Sequence, residues 1–123
     1  MVENAGPKRV AKAVVYIDTE ILLLRDKQGW DLPGGHVAPD ESMAAGLVRE
    51  IEEETGLSVR EESVGEPIYR HNHVEFYEIH LSLANTNIVL SEEHNSYKLI
   101  HPDKIESVRL SKRFSKAIEK TFE

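Results

Sequence analysis

Residues 35–57 read GHVAPDESMAAGLVREIEEETGL, and no other stretch constrains the chain as tightly. Apolar spacing makes its second half a helix. At about 100° per residue, Ala44, Leu47, Val48 and Ile51 fall on one stripe suited to a core. Asp40 or Ser42 can cap the start, Pro39 holds the chain extended just before, and Gly56 stands where a helix ends. Glu50, Glu53 and Glu54 follow at i, i+3 and i+4, so they share a neighbouring face. Gly46 joins that face one turn earlier and leaves it open to another backbone.

Two local rules are broken there. Like charges at these spacings repel by roughly 0.2–0.5 kcal/mol per pair. The carboxylates also crowd the C-terminal half of the helix, where the dipole disfavours anions. Only Arg49 compensates nearby. A solvated acidic face is the plain reading of such a run. A site for a hard divalent cation is the sharper one, because Mg²⁺ and Mn²⁺ prefer carboxylate oxygens and turn the repulsion into attraction.

The spacing is Gly35, five residues, Glu41, seven residues, then Arg49, Glu50, Ile51, Glu52, Glu53, Glu54, Thr55, Gly56 and Leu57. It resembles the Nudix signature at every fixed position: Gly, five residues, Glu, seven residues, Arg-Glu-aliphatic-any-Glu-Glu-any-Gly-aliphatic. The flanks look like that family too, with apolar strands before the motif, the lead-in Trp30-Asp31-Leu32-Pro33-Gly34-Gly35, and a late Glu92-Glu93-His94 loop. Periodicity alone supports only one domain of α/β or α+β class. The resemblance implies an α/β/α sandwich, with a mixed sheet between the motif helix and a C-terminal helix.

The resemblance also implies site roles. Glu50, Glu53 and Glu54, with the carbonyl of Gly34, would hold Mg²⁺ or Mn²⁺. Glu41 would pair with Arg49 and fix the loop on the helix, a structural role to which Gly35 and Gly56 also belong. A loop carboxylate reaching back to the metals would be Glu93, or Glu92 in the alternative register. Glu50 and Glu93 are the candidates for taking a proton from the attacking water, with Glu53 and Glu54 as principal ligands. Clustered carboxylates raise one another's pKa and titrate as a group. Arg25 is the candidate phosphate contact, since a guanidinium fork matches phosphate oxygens. Lys27 reads as surface charge or a second phosphate contact, and His36 as a bystander or a substrate-side contact, with the bystander favoured.

Length and composition bound the rest. The chain has 123 residues, fits one domain spanning 1–123, and can bury a core without staples. It has no cysteine, so disulfides and thiolate metal sites are excluded. No signal peptide and no apolar run of spanning length is read, so the expected location is the cytoplasm, with no membrane partner. The formal net charge of −7 disfavours non-specific binding of nucleic acid. Metal ions can still bridge the acidic site to an anionic nucleotide.

Residues 1–7 read as a loose polar terminus. Strands are expected over 8–18 and 21–25 as a hairpin, over 30–32, over 57–64, and over 68–70 and 74–83 joined at His71-Asn72-His73. Loops are expected over 84–90 and from Ser91 onward, with a turn at 102–105. A closing helix over 110–122 has Leu110, Phe114, Ala117, Ile118 and Phe122 at helical spacing, with Ser111 placed to cap it. His71, His73 and His80 make no convincing zinc set. Tyr69, Phe76, Tyr77 and Tyr97 are candidate base-stacking rings, at least two of which suit the core.

The function implied by the resemblance is metal-dependent hydrolysis of a pyrophosphate bond in a nucleoside diphosphate derivative. Nucleoside triphosphates are the first expectation, with ADP-ribose, dinucleoside polyphosphates and a capped or triphosphate RNA end as other classes. The alternative is a non-catalytic nucleotide-binding sensor of the same fold. An isomerase of the superfamily expects extensions this short chain does not match. Monomer and homodimer are both compatible with the sequence.

Overall fold

The computed structural model describes residues 8–85 and 87–123; the expectation for residues 1–7 lies outside it. Among the described residues, seven strands form one mixed sheet: β1 Val10–Ile17, β2 Glu20–Asp26, β3 Gly29–Asp31, β4 Gly34–His36, β5 Tyr69–His71, β6 Val74–Leu81 and β7 Ser96–Ile100. Two α-helices accompany them, α1 Met43–Thr55 and α2 Lys112–Lys120.

Alternation along the strands makes the sheet two-faced. Ala11, Ala13, Val15 and Ile17 of β1, with Leu22 and Leu24 of β2 and Tyr77 and Ile79 of β6, pack toward Leu47 and Ile51 of α1. Val10, Val14 and Tyr16, with Ile21, Leu23, Val74 and Phe76, pack toward Phe114, Ala117 and Ile118 of α2. Both faces are covered, which explains the nearly continuous apolar runs of β1 and β2. The result is the α/β/α sandwich. Each fully buried Leu or Ile here contributes about 1.5–3 kcal/mol relative to exposure.

The sheet splits in a way that positions the site. β1 and β2 pair only beside their turn, at Tyr16–Ile21 and Ile17–Glu20. Beyond that they diverge. β4 takes the freed edge of β1, pairing Lys12 with Gly34, while β3 takes that of β2, pairing Arg25 with Trp30. The other side of β1 pairs in parallel with β6 over its whole length. The Lys12 side chain bridges the split, reaching Asp31 of β3 and the carbonyls of Leu32 and Gly34.

Several expectations are corrected. Residues 57–64 form no strand. Leu57, Val59 and Val64 are buried against α1 without a sheet partner, and Glu61–Ser63 is a 3₁₀ turn. Ser96–Ile100 is a strand, paired antiparallel with β2; its alternation was hidden by exposed Tyr97 and Lys98. Leu83–Asn85 is a 3₁₀ turn, and Thr86 of the expected 84–90 loop lies outside the described residues. The expected turn at 102–105 is the 3₁₀ segment Pro102–Ser107.

At the helix ends, Ser42 rather than Asp40 caps α1, accepting from the Ala45 N–H at 3.0 Å. Ser111 holds the N-cap position of α2 but its side chain makes no capping bond. Phe122 lies past the end of α2 and is 56% exposed, so it does not dock on the sheet. Gly46 faces the side chain of Val37, not a backbone. Phe76 and Tyr77 are core residues, while Tyr97 is exposed. Among the described residues no helix is long and apolar enough to cross a membrane.

Candidate functional site

The end of α1, the β4 turn and the segment before β7 meet at a cleft of about 400 Å³. Its lining includes Lys12, Asp31, Glu50, Glu54, Glu93 and His94. Local chemistry explains each placement. The Gly56 N–H bonds to Glu52 O at 2.8 Å with φ of 75°, so the helix ends in a left-handed residue that glycine adopts without strain. The last carbonyls of α1 need donors. Val89 N–H reaches Thr55 O at 2.8 Å and Ser91 N–H reaches Glu54 O at 3.1 Å. Asn95 N–H bonds to Arg25 O of β2 at 2.9 Å. The 91–95 segment is thereby held between helix and sheet, and it delivers Glu93 and His94 beside Glu54.

Glu54 is 5% exposed and accepts from the Gly34 N–H at 2.9 Å. Burial pushes its carboxyl up to about 7, against the pull of the Gly34 N–H and Lys12 and with a smaller push from Glu50 and Asp31. Glu50 lies under the β4 backbone: a Cβ on Gly35 would stand 2.6 Å from its Oε1. Lys12 Nζ lies 2.9 and 3.1 Å from the two Asp31 oxygens, 3.0 Å from Leu32 O and 3.4 Å from Gly34 O.

The loop before the helix is fixed by an ion-pair cluster. Arg49 grips Glu41 with two bonds of 2.7 and 2.9 Å, and also donates to the carbonyl of His36. Glu41 Oε1 accepts from the Ala38 N–H at 2.8 Å. The Arg49 bonds, helped by that N–H, hold the Glu41 carboxyl down at about 2, and hydrogen bonds to Glu41, Glu53 and Glu50 raise the Arg49 guanidinium above its ordinary value. Arg9 completes the clamp by donating to Ala38 O and Glu41 O.

Residues 7–121 match the NUDIX domain. The chain belongs to the Nudix family. Over 68 residues it is 41% identical to a CTP pyrophosphohydrolase of Escherichia coli, an alignment covering 50% of this chain and 48% of that protein. The chain spans less than half the length of the curated relatives it matches. Among solved structures it resembles a MutT protein from Methanosarcina mazei, with a TM-score of 0.69, 28% identity, and 92% and 91% of the two chains covered. A C. elegans Ap4A hydrolase shares the fold, with a TM-score of 0.75 at 22% identity and 93% and 96% coverage.

The Nudix helix does not treat its carboxylates alike. Glu50 and Glu54 line the cleft, whereas Glu53 is 58% exposed; Arg49 holds Glu50 and Glu53 alike, each at 3.1 Å. Oxygens of Glu54 and Glu93 and a ring nitrogen of His94 lie within 4.8 Å of one another, a group able to hold a metal ion. Asp26, Asp31 and His94 form a second such group. Glu92 is in neither. Arg25 is outside the 400 Å³ cleft. Its guanidinium lies 5.6 Å from the Trp30 ring centroid, and it lines an adjoining cavity of about 700 Å³ together with Lys12, Trp30, Arg109 and Arg113.

Sequence reasoning missed Lys12, Asp31 and Arg9 as parts of this Nudix site. Lys12 carried a signal, being the one charged residue in the strand VAKAVVYI. Asp31 and Arg9 carried none, because their partners are 19 and 29 or more residues away in sequence.

Proposed function

We propose that this chain, acting as one Nudix domain, hydrolyses the pyrophosphate bond of a nucleoside diphosphate derivative with Mg²⁺ or Mn²⁺ as cofactor. The observation that carries the reading is the convergence of Glu50, Glu54 and Glu93 on one cleft, beside a larger cavity lined by four cations. A diphosphate cannot approach three carboxylates unaided, and the donor set of carboxylates is one that hard divalent ions prefer. Glu50 and Glu54 of the helix, together with the Gly34 carbonyl, would hold the ion, and Glu53 would join from the exposed rim. A bound ion supplies Lewis-acid neutralisation of the phosphate charge.

The chain's own groups do the rest. Glu93 or Glu50 takes the proton of the attacking water as its oxygen bonds to phosphorus and the anhydride bond breaks. The Gly34 N–H fixes the orientation of Glu54, and Arg49 and Glu41 hold the loop that carries the β4 glycines. Arg25, Arg109 and Arg113 line the way for the rest of the substrate, with guanidinium forks suited to phosphate. Nucleoside triphosphates are the first candidates, a choice supported by the likeness to a CTP pyrophosphohydrolase.

The test is a release assay. The protein is incubated with Mg²⁺ or Mn²⁺ against nucleoside triphosphates, ADP-ribose, dinucleoside polyphosphates and a capped RNA end, with a chelator control. Metal-dependent cleavage of one class is the expected result. Silence across the panel with nucleotide binding retained would replace the enzyme by a nucleotide-binding sensor.

A further inference from the structure

We propose that His94 supplies a nitrogen ligand to a divalent ion held with Glu54 and Glu93, so that the centre prefers first-row transition ions to Mg²⁺. The inference deepens the function proposed above and rests on it only for the place of the ion.

Three observations point the same way. The His94 side chain is 4% exposed, and its Nδ1 is buried with no hydrogen-bond partner among the described residues. A buried polar atom left in this state is unfavourable, so its persistence asks for a partner. Nε2 lies 3.6 Å from Asp31 Oδ2, longer than a hydrogen bond. Finally, a ring nitrogen lies within 4.8 Å of oxygens from both Glu54 and Glu93.

His94 also belongs to the group with Asp26 and Asp31, and charge decides between the two. Asp31 is already paired with the Lys12 ammonium at 2.9 and 3.1 Å. Glu54 has a backbone N–H as its bonded partner, and Glu93 is exposed. A cation placed by Glu54 and Glu93 therefore meets carboxylates without a bonded ammonium. The His94 ring is held ready for it. Ser91 is bonded to the end of α1 and Asn95 to β2, and His94 N–H itself donates to Ser91 O at 3.3 Å.

The consequence is a mixed nitrogen and oxygen donor set. Carboxylate and water ligands suit Mg²⁺ and Mn²⁺, whereas imidazole suits later first-row ions, whose affinities rise from Mn²⁺ toward Co²⁺ and beyond. Neutral imidazole adds no charge to the site, so the bias lies in ion identity and not in overall attraction for cations.

The test uses the full chain with metal alone. Calorimetric titration with Co²⁺ and separately with Mg²⁺ is run on wild type, His94→Gln and Glu54→Gln, and pulsed EPR on wild type carrying one equivalent of Mn²⁺. His94→Gln is expected to lose about tenfold or more in Co²⁺ affinity while Mg²⁺ binding stays within about twofold. Glu54→Gln is expected to weaken both. Imidazole nitrogen coupling to Mn²⁺ is expected in wild type. Its absence overturns the proposal, as do equal losses of Co²⁺ and Mg²⁺ in His94→Gln, which would mark the ring as a prop for the loop. If His94→Gln fails to fold, the wild-type spectrum decides. A hydrolase with an all-oxygen centre keeps the proposed function and removes this one. Nitrogen coupling without hydrolysis does the reverse.

Discussion

The backbone N–H of Gly34 donates to Glu54 Oε1 at 2.9 Å, tying the turn before the Nudix helix to a carboxylate on the helix's last turn. Twenty residues of chain close on that one bond. It is also what a buried carboxylate needs, since burial penalises its charge and, besides this N–H, Lys12 offsets that penalty.

The first prediction follows from Glu54 and concerns the metal-free protein. Its carboxyl is raised from 4.5 to about 7 by burial. The folded state therefore keeps a proton that the unfolded state has released. The stabilisation is fully present below pH 4.5 and is lost as pH rises toward 7, at up to roughly 1.4 kcal/mol per pH unit. Denaturant unfolding in chelator across pH 4.5–7.5 should show wild type losing stability relative to Glu54→Gln. Parallel profiles for the two proteins would remove the burial argument.

Gly34 and Gly35 should respond differently to alanine. A Cβ on Gly35 meets the carboxyl of Glu50, a side-chain end able to swing away. Gly35→Ala should fold with nearly unchanged Tm but bind Mg²⁺ and turn over more weakly. A Cβ on Gly34 collides with the backbone of Ala11 and Lys12, at a φ of +129°. Gly34→Ala should lower Tm and broaden amide exchange over β1 and β4. Equal thermal losses in both variants would contradict this split.

Lys12 sits between the two halves of the divided sheet and neutralises Asp31, with both side chains less than a fifth exposed. Lys12→Met leaves that carboxylate unpaired. The expected cost is a few kcal/mol, at or below the roughly 3–5 kcal/mol of breaking a fully buried pair. The double variant Lys12→Met, Asp31→Asn should recover part of it. Urea unfolding of the four proteins of the cycle measures the coupling.

Turnover at saturating Mg²⁺ tests the carboxylates. Glu93→Gln should slow the reaction while Glu92→Gln leaves it near wild type, because only Glu93 has an oxygen grouped with Glu54 and His94. Glu53→Gln should lower turnover by orders of magnitude with the fold intact. A harmless Glu53→Gln would mean that Arg49 holds Glu53 at the rim throughout the reaction.

The helix, its cap region and its carboxylate face were legible in the sequence because they depend on neighbours three and four residues apart. The motif spacing carried the family, and through it the sandwich and the pairing of Glu41 with Arg49. Tertiary structure alone decided the rest. Leu57 and Val59 alternate as a strand does, yet they fill the core beside α1 because no sheet edge reaches them. Ser96–Ile100 is a strand because the edge of β2 away from β1 is open to it, with Ile21 pairing to Tyr16 on one side and to Ile100 on the other. In a helical projection Glu54 already lies nearest the apolar stripe and Glu53 on the far side from it. The β4 turn completes the difference, covering Glu54 while Glu53 stays in water. Lys12 with Asp31 is an ion pair, and His94 with Glu54 a juxtaposition, of residues far apart in sequence. Local periodicity encodes which face a side chain takes, while a desolvated charge finds its partner only when the chain has closed around both.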